Sequence, residues 1–175
     1  MTLSLGLRGA AQQQIWRGPP VATVQFTMYD AIHWQAIPAD AEAVAGYVDG
    51  ALSQWPPEAW QRFTAARVVL HISTWGPRNL GDCLDIETGD STPEEARPWA
   101  LNAMARGVVR PKLYMGLWDL AKVKALCADL PCLYWVANPT GTPHIPDGAD
   151  ACQWGWNQTV TGGDYDLSLC QPWFA

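Results

Sequence analysis

From residue 23 onward, short apolar runs alternate with turn residues and with stretches of helical period. Residues 24–32 (VQFTMYDAI) and 45–48 read as strands, and the β-branched run at 68–73 (VVLHIS) as a third. Residues 83–87 (CLDIE), 112–117 (KLYMGL), 132–137 (CLYWVA), 151–155 (ACQWG) and 165–169 (YDLSL) supply five more. Helical patterns fall between some of them. One spans 57–66 and opens on Pro57. A second is capped by Thr92, with Pro93 at its first position and Glu94 and Glu95 in its first turn, and should stop at Gly107. A third spans 119–129, just ahead of Pro131. This order predicts an α/β fold: a compact, partly degenerate (β/α)8 barrel of TIM type, with an open α/β sheet as the alternative. Such barrels usually take about 250 residues, so several connections in a chain of 175 must be loops. The Pro- and Gly-rich stretches 138–150 and 157–163 fit that role. Residues 1–25, with Gln12–Gln14 and a Gly18-Pro19-Pro20 turn, carry no sustained period. They read as an N-terminal arm or leader ahead of a barrel domain at 26–175.

Composition narrows the function classes. With 49% apolar and 16% charged residues, the chain is not of the disordered class. No apolar run approaches the roughly 20 residues of a spanning helix, so no membrane partner is expected. A net charge of −6 repels phosphate backbones, which argues against nucleic acid. Five cysteines (Cys83, Cys127, Cys132, Cys152, Cys170) form no CxxC pair, and His33, His71 and His144 share no ligand spacing. No metal or other cofactor is expected. The cysteines read as small buried side chains, and His71 as a hydrogen-bonded core histidine. Arg8 and the glutamine run interrupt the N-terminal apolar stretch, so no signal peptide is expected.

Asp85-Ile86-Glu87 is the most informative tripeptide. Alternate residues of a strand share a face, so both carboxylates project the same way, about 6.5–7 Å apart along the backbone. At the C-terminal end of a barrel strand that face is the catalytic mouth. Two acids held there resist joint ionisation, which separates an acid from a base. Asp30 ends the first strand pattern similarly, and Asp166 lies in the last, beside the first if the barrel closes.

Asp30-Ala-Ile-His-Trp-Gln35 resembles the Asp-x-Ser-x-x-Gln opening of the lysozymes of glycoside hydrolase family 25, departing from it at Ile32. Asp85-x-Glu87 is similar to that family's Asp-x-Glu pair, and Tyr134-Trp-Val-Ala-Asn138 to its Trp-x-Ala segment. Gln153-Trp154 resembles its Gln-Tyr, and Asp166-x-Ser168 its closing Asp-x-Asn/Ser. The stretch 37–50 looks closer still to glycoside-hydrolase-like proteins of actinobacteria and their bacteriophages.

The resemblance covers roughly residues 28–170. It implies hydrolysis of the β-1,4 bond between N-acetylmuramic acid and N-acetylglucosamine in peptidoglycan. Glu87 would be the general acid. Asp85 would stabilise the developing positive charge, with the substrate's own acetamido group as nucleophile. Asp30 and Asp166 would position these groups. Trp135 and Trp154 would stack on sugar rings, or else pack the barrel, while Asn138 and Gln153 would contact hydroxyl or acetamide groups.

Besides a non-catalytic module that binds wall sugar through Trp135 and Trp154 without cleaving it, two function classes follow. One is a peptidoglycan glycosidase of muramidase type. The other is a catalytically silent phage virion structural or adhesion protein on the same barrel, meeting its own copies or virion neighbours through residues 1–25. Without a signal peptide, a place in the virion, a lysis role or a non-classical export route is expected. Of the Trp residues, Trp34 is expected at the rim and Trp60, Trp99 and Trp118 against the barrel wall.

Overall fold

The computed structural model describes residues 24–50, 54–78, 80–156 and 164–175. The proposed arm therefore lies outside the described residues except at its last two positions. Eight strands follow in chain order: β1 (Phe26–Asp30), β2 (Ala43–Tyr47), β3 (Val68–Ser73), β4 (Cys83–Ile86), β5 (Lys112–Gly116), β6 (Leu133–Ala137), β7 (Ala151–Gly155) and β8 (Asp166–Cys170). Each pairs with the next and β8 pairs with β1, so the sheet is a closed barrel. The open-sheet alternative is thereby excluded. All eight strand patterns are present, with ends displaced by at most two residues.

The barrel is not eight parallel βα units. Strands β1 to β7 run parallel, but β8 is antiparallel to both neighbours. The sequence between β7 and β8 has no helical period to carry the chain back to the opposite rim, in keeping with the antiparallel direction of β8. Among the described residues three α-helices stand outside the barrel: α1 (Pro57–Arg62), α2 (Pro93–Ala105) and α3 (Leu120–Leu126). The helix patterns at 57–66 and 119–129 are therefore shorter than expected. Helix α2 starts as its sequence dictates, on a capping box in which the Thr92 amide donates to Glu95 Oε2 at 2.7 Å. It ends at Gly107, whose φ of +100° suits glycine.

Alternation along the strands divides the core. Met28, Ala45, Leu70, Ile72, Cys83, Tyr114, Trp135 and Cys170 fill the barrel. Phe174, fully buried and 6.5 Å from the Trp135 ring, packs beneath them at the end where β8 leaves the barrel. Outside, Ile86, Trp99, Val123, Val136 and Trp154 build the layer under α2 and α3, and Val44, Trp55 and Phe63 the layer under α1. All five cysteines are free and buried. His71 differs from its expectation as a core residue. It faces outward, half-exposed, stacked on Trp60 at 4.5 Å and with Nδ1 3.7 Å from Asp82. Among the described residues no helix is long and apolar enough to cross a membrane.

Candidate active site

The rim at the C-terminal ends of the parallel strands collects the carboxylates. Asp30 is the last residue of β1 and Asp85 lies in β4, respectively 6% and 2% exposed. Glu87 follows β4 directly and reaches solvent at the lip. Asp166 is the first residue of β8. In a parallel β8 that position would fall at the opposite end of the barrel. The reversal of β8 brings Asp166 to the same rim as the other carboxylates, directly opposite Asp30 in the register.

Burial and mutual repulsion govern the protonation of Asp30, Asp85 and Glu87. Burial raises the Asp30 carboxyl well above the usual range, and the charges of Asp166 and Glu87 raise it further. Burial does the same to Asp85, reinforced by Glu87, Asp90 and Asp30. Glu87 is raised by loss of hydration at the crowded mouth; a hydrogen bond from Tyr114 pulls it back, while Asp90 and Asp166 push it up. Among the described residues neither Asp30 Oδ2 nor Asp85 Oδ1 has a hydrogen-bond partner, although both are buried. Buried polar atoms in folded proteins are nearly always satisfied. Two orphaned carboxylate oxygens at one barrel mouth are therefore suited to a ligand that supplies donors or positive charge. Among the described residues no group of three or more His, Cys, Asp or Glu side chains could hold a metal ion.

A hydrogen-bonded chain crosses the mouth. The Tyr114 hydroxyl stands between Glu87 and Gln153 Oε1 with a single proton to share between them, and Gln153 Nε2 donates to Asp166 Oδ2 at 2.5 Å. The amide orientation follows from the chemistry, because the Asp166 carboxylate accepts and must face the NH2 group. Glu87 and Asp166, which lie on different strands, are thus linked through Tyr114 and Gln153. Tyr47, at the end of β2, faces the same well: burial first, then the charges of Asp85, Asp30 and Glu87, hold its hydroxyl in the protonated form.

Two grooves open from this well. One, of about 460 Å³, is lined by Asp30, Ile32, His33, Trp156, Tyr165 and Asp166. The other, of about 560 Å³, is lined by Glu87, Thr88, Asp90, Thr92, Trp118 and Asp119.

The other expected ligand contacts fare differently. Gln153 belongs to the site. Trp135 does not present a face to it: the side chain is 1% exposed inside the barrel, stacked on Tyr114 at 4.4 Å, with Nε1 donating to Ser168 Oγ at 2.9 Å. Trp154 follows the inward-facing Gln153, so it points outward into the helix layer. Asn138 is half-buried at the end of β6, and its amide nitrogen donates to His144 Nε2 at 2.9 Å. Of the barrel-wall tryptophans, Trp99 is buried as expected, but Trp118 is 82% exposed at the mouth. Tyr47, Tyr114, Asp90, Trp118 and Trp156 also line the mouth or its grooves, and the sequence motifs do not point to them. For Tyr114 a signal existed, since it shares inward parity with Gly116 at the end of a predicted strand. The exposure of Trp118 had none, because a Trp next to a helix ordinarily packs.

Comparison of the chain with protein-family models, with curated proteins and with solved structures finds no significant match.

Proposed function

We propose that this protein is a glycoside-hydrolase-like domain of lysozyme type. It acts on N-acetylated cell-wall glycan, and its barrel is a shortened relative of the (β/α)8 architecture with the last strand reversed. The observation that carries this reading is the convergence of Asp30, Asp85, Glu87 and Asp166 on one open rim.

Glu87 is the general acid. Its carboxyl is raised, so it keeps a proton further toward neutral pH than an isolated Glu, and it stands at the lip where a glycosidic oxygen has access. Asp85 lies deeper, on the same strand face, with one oxygen unsatisfied. Positive charge developing on the sugar ring would favour loss of the Asp85 proton to solvent at the open mouth, and the attraction to the resulting carboxylate falls in the transition state rather than the ground state. Asp30 and Asp166 set the charge of the well. Tyr114 and Gln153 fix how Glu87 and Asp166 face each other.

Digestion of purified peptidoglycan followed by borohydride labelling of new reducing ends tests this directly. Labelled muramic acid is the expected product. Labelled glucosamine would contradict the muramidase assignment, and no label at all would contradict hydrolysis. That last result would favour the alternative, a catalytically silent phage virion or adhesion protein that keeps the same mouth.

A further inference from the structure

Trp118 occupies the short turn after β5, and at 82% exposure it is the most exposed of the large apolar side chains on the described surface. Its ring lies against Gly116, where an added Cβ would come within 2.3 Å of the indole. The last residue of β5 is thus a glycine on which the indole rests, leaving the ring open to the mouth.

The charged side chains of the Trp118 groove are Glu87, Asp90 and Asp119; no Lys or Arg among the described residues lines either groove. Nearby cations are engaged elsewhere. Lys122 pairs with Glu94 at 2.6 Å, and Arg78 sits over Trp75 at 5.2 Å. Asp85 adds its orphaned Oδ1 on the barrel side of the same mouth.

We propose that the Trp118 groove is a sugar subsite for a hexosamine ring that carries no anionic group, and that a free amino group on that ring strengthens binding. The inference rests on the glycan reading of the site and adds which sugar goes where. The C–H face of a pyranose packs on an indole face as another apolar surface does. An ammonium is attracted both by the acids Asp90 and Asp119 and by the negative face of the ring. A carboxylate-bearing sugar would instead meet those two acids without a compensating cation. Of the two alternating sugars in a peptidoglycan strand, glucosamine, acetylated or not, belongs on Trp118.

Calorimetric titration of the full chain with three soluble tetrasaccharides tests this: glucosamine, N-acetylglucosamine and galacturonate. The expected order is cationic, then neutral, then anionic, with the cationic advantage shrinking at 0.5 M salt. Trp118→Ala should weaken both hexosamine oligomers about five- to tenfold, the scale of one aromatic contact. Gly116→Val, which displaces the ring, should do the same. Unchanged binding in both variants, or galacturonate binding as tightly as glucosamine, would overturn the subsite. Binding is read at equilibrium without turnover, so the two ideas separate. Hexosamine binding that depends on Trp118, with no reducing ends released, keeps the subsite and removes the hydrolase. Hydrolysis that depends on Glu87, with binding and KM indifferent to Trp118, removes only the subsite.

Discussion

Asp30 and Asp166 face each other across the antiparallel β1–β8 pair, the last residue of one strand opposite the first of the other. Directly opposed Cβ atoms in such a pair lie about 4.5–5.5 Å apart, and like charges at that range are destabilising. A fold optimised for stability alone would avoid this arrangement. Here it closes a ring of acids with Asp85 and Glu87, and among the described residues the buried oxygens Asp30 Oδ2 and Asp85 Oδ1 have no hydrogen-bond partner.

Stability should therefore fall as pH rises. Asp30 and Asp85 keep protons in the fold at pH values where unfolded carboxyls, titrating near 3.9, have lost them. The native state then binds more protons than the unfolded state, and stability is lost as pH climbs from about 4 through the raised folded values. Asp85→Asn removes this penalty. Its Tm should exceed that of the wild type at pH 7–8, and the gap should close toward pH 4. Each unit of displaced pKa is worth about 1.4 kcal/mol, or about 3 °C in a chain of this size. A gap that is constant across pH would show that the well is not strained.

Tyr114→Phe cuts the link between Glu87 and Gln153. Because the Tyr114 hydrogen bond lowers the Glu87 pKa, its loss should raise that pKa and move the alkaline limb of the pH–rate profile upward. Gln153 Oε1, left buried without its donor, should cost about 1–3 kcal/mol in urea titrations. A profile that moves the other way would mean Glu87 does not act as the acid.

Trp135→Ala tests the reassignment of that residue from sugar contact to packing. Its ring fills the barrel between Tyr114 and Phe174, so truncation should destabilise by about 3–5 kcal/mol. Weakened glycan binding at near-unchanged stability would restore the sugar-stacking role.

Much of this was legible from the chain because local rules coincide with the tertiary outcome. The α2 start is written in Thr92, Pro93 and Glu95, and its stop in Gly107. Every inward-facing acid follows from strand parity. Parity also decides Trp154: once Gln153 faces in, its neighbour must face out. Three things were not legible. The direction of β8 depends on which rim the chain re-enters, and no local pattern encodes that. The burial of Trp135 depends on how much barrel interior seven other strands leave to be filled. The exposure of Trp118 depends on Gly116, whose missing side chain lets the ring settle over the strand end rather than in the helix layer.

The proposed chemistry turns on Glu87 delivering a proton to a glycosidic oxygen. The decisive measurement is reducing-end release from peptidoglycan by the wild type and by Glu87→Gln at matched Tm. The variant should lose activity on the order of 10²–10⁴-fold. Equal rates in the two proteins would rule out Glu87 as the acid.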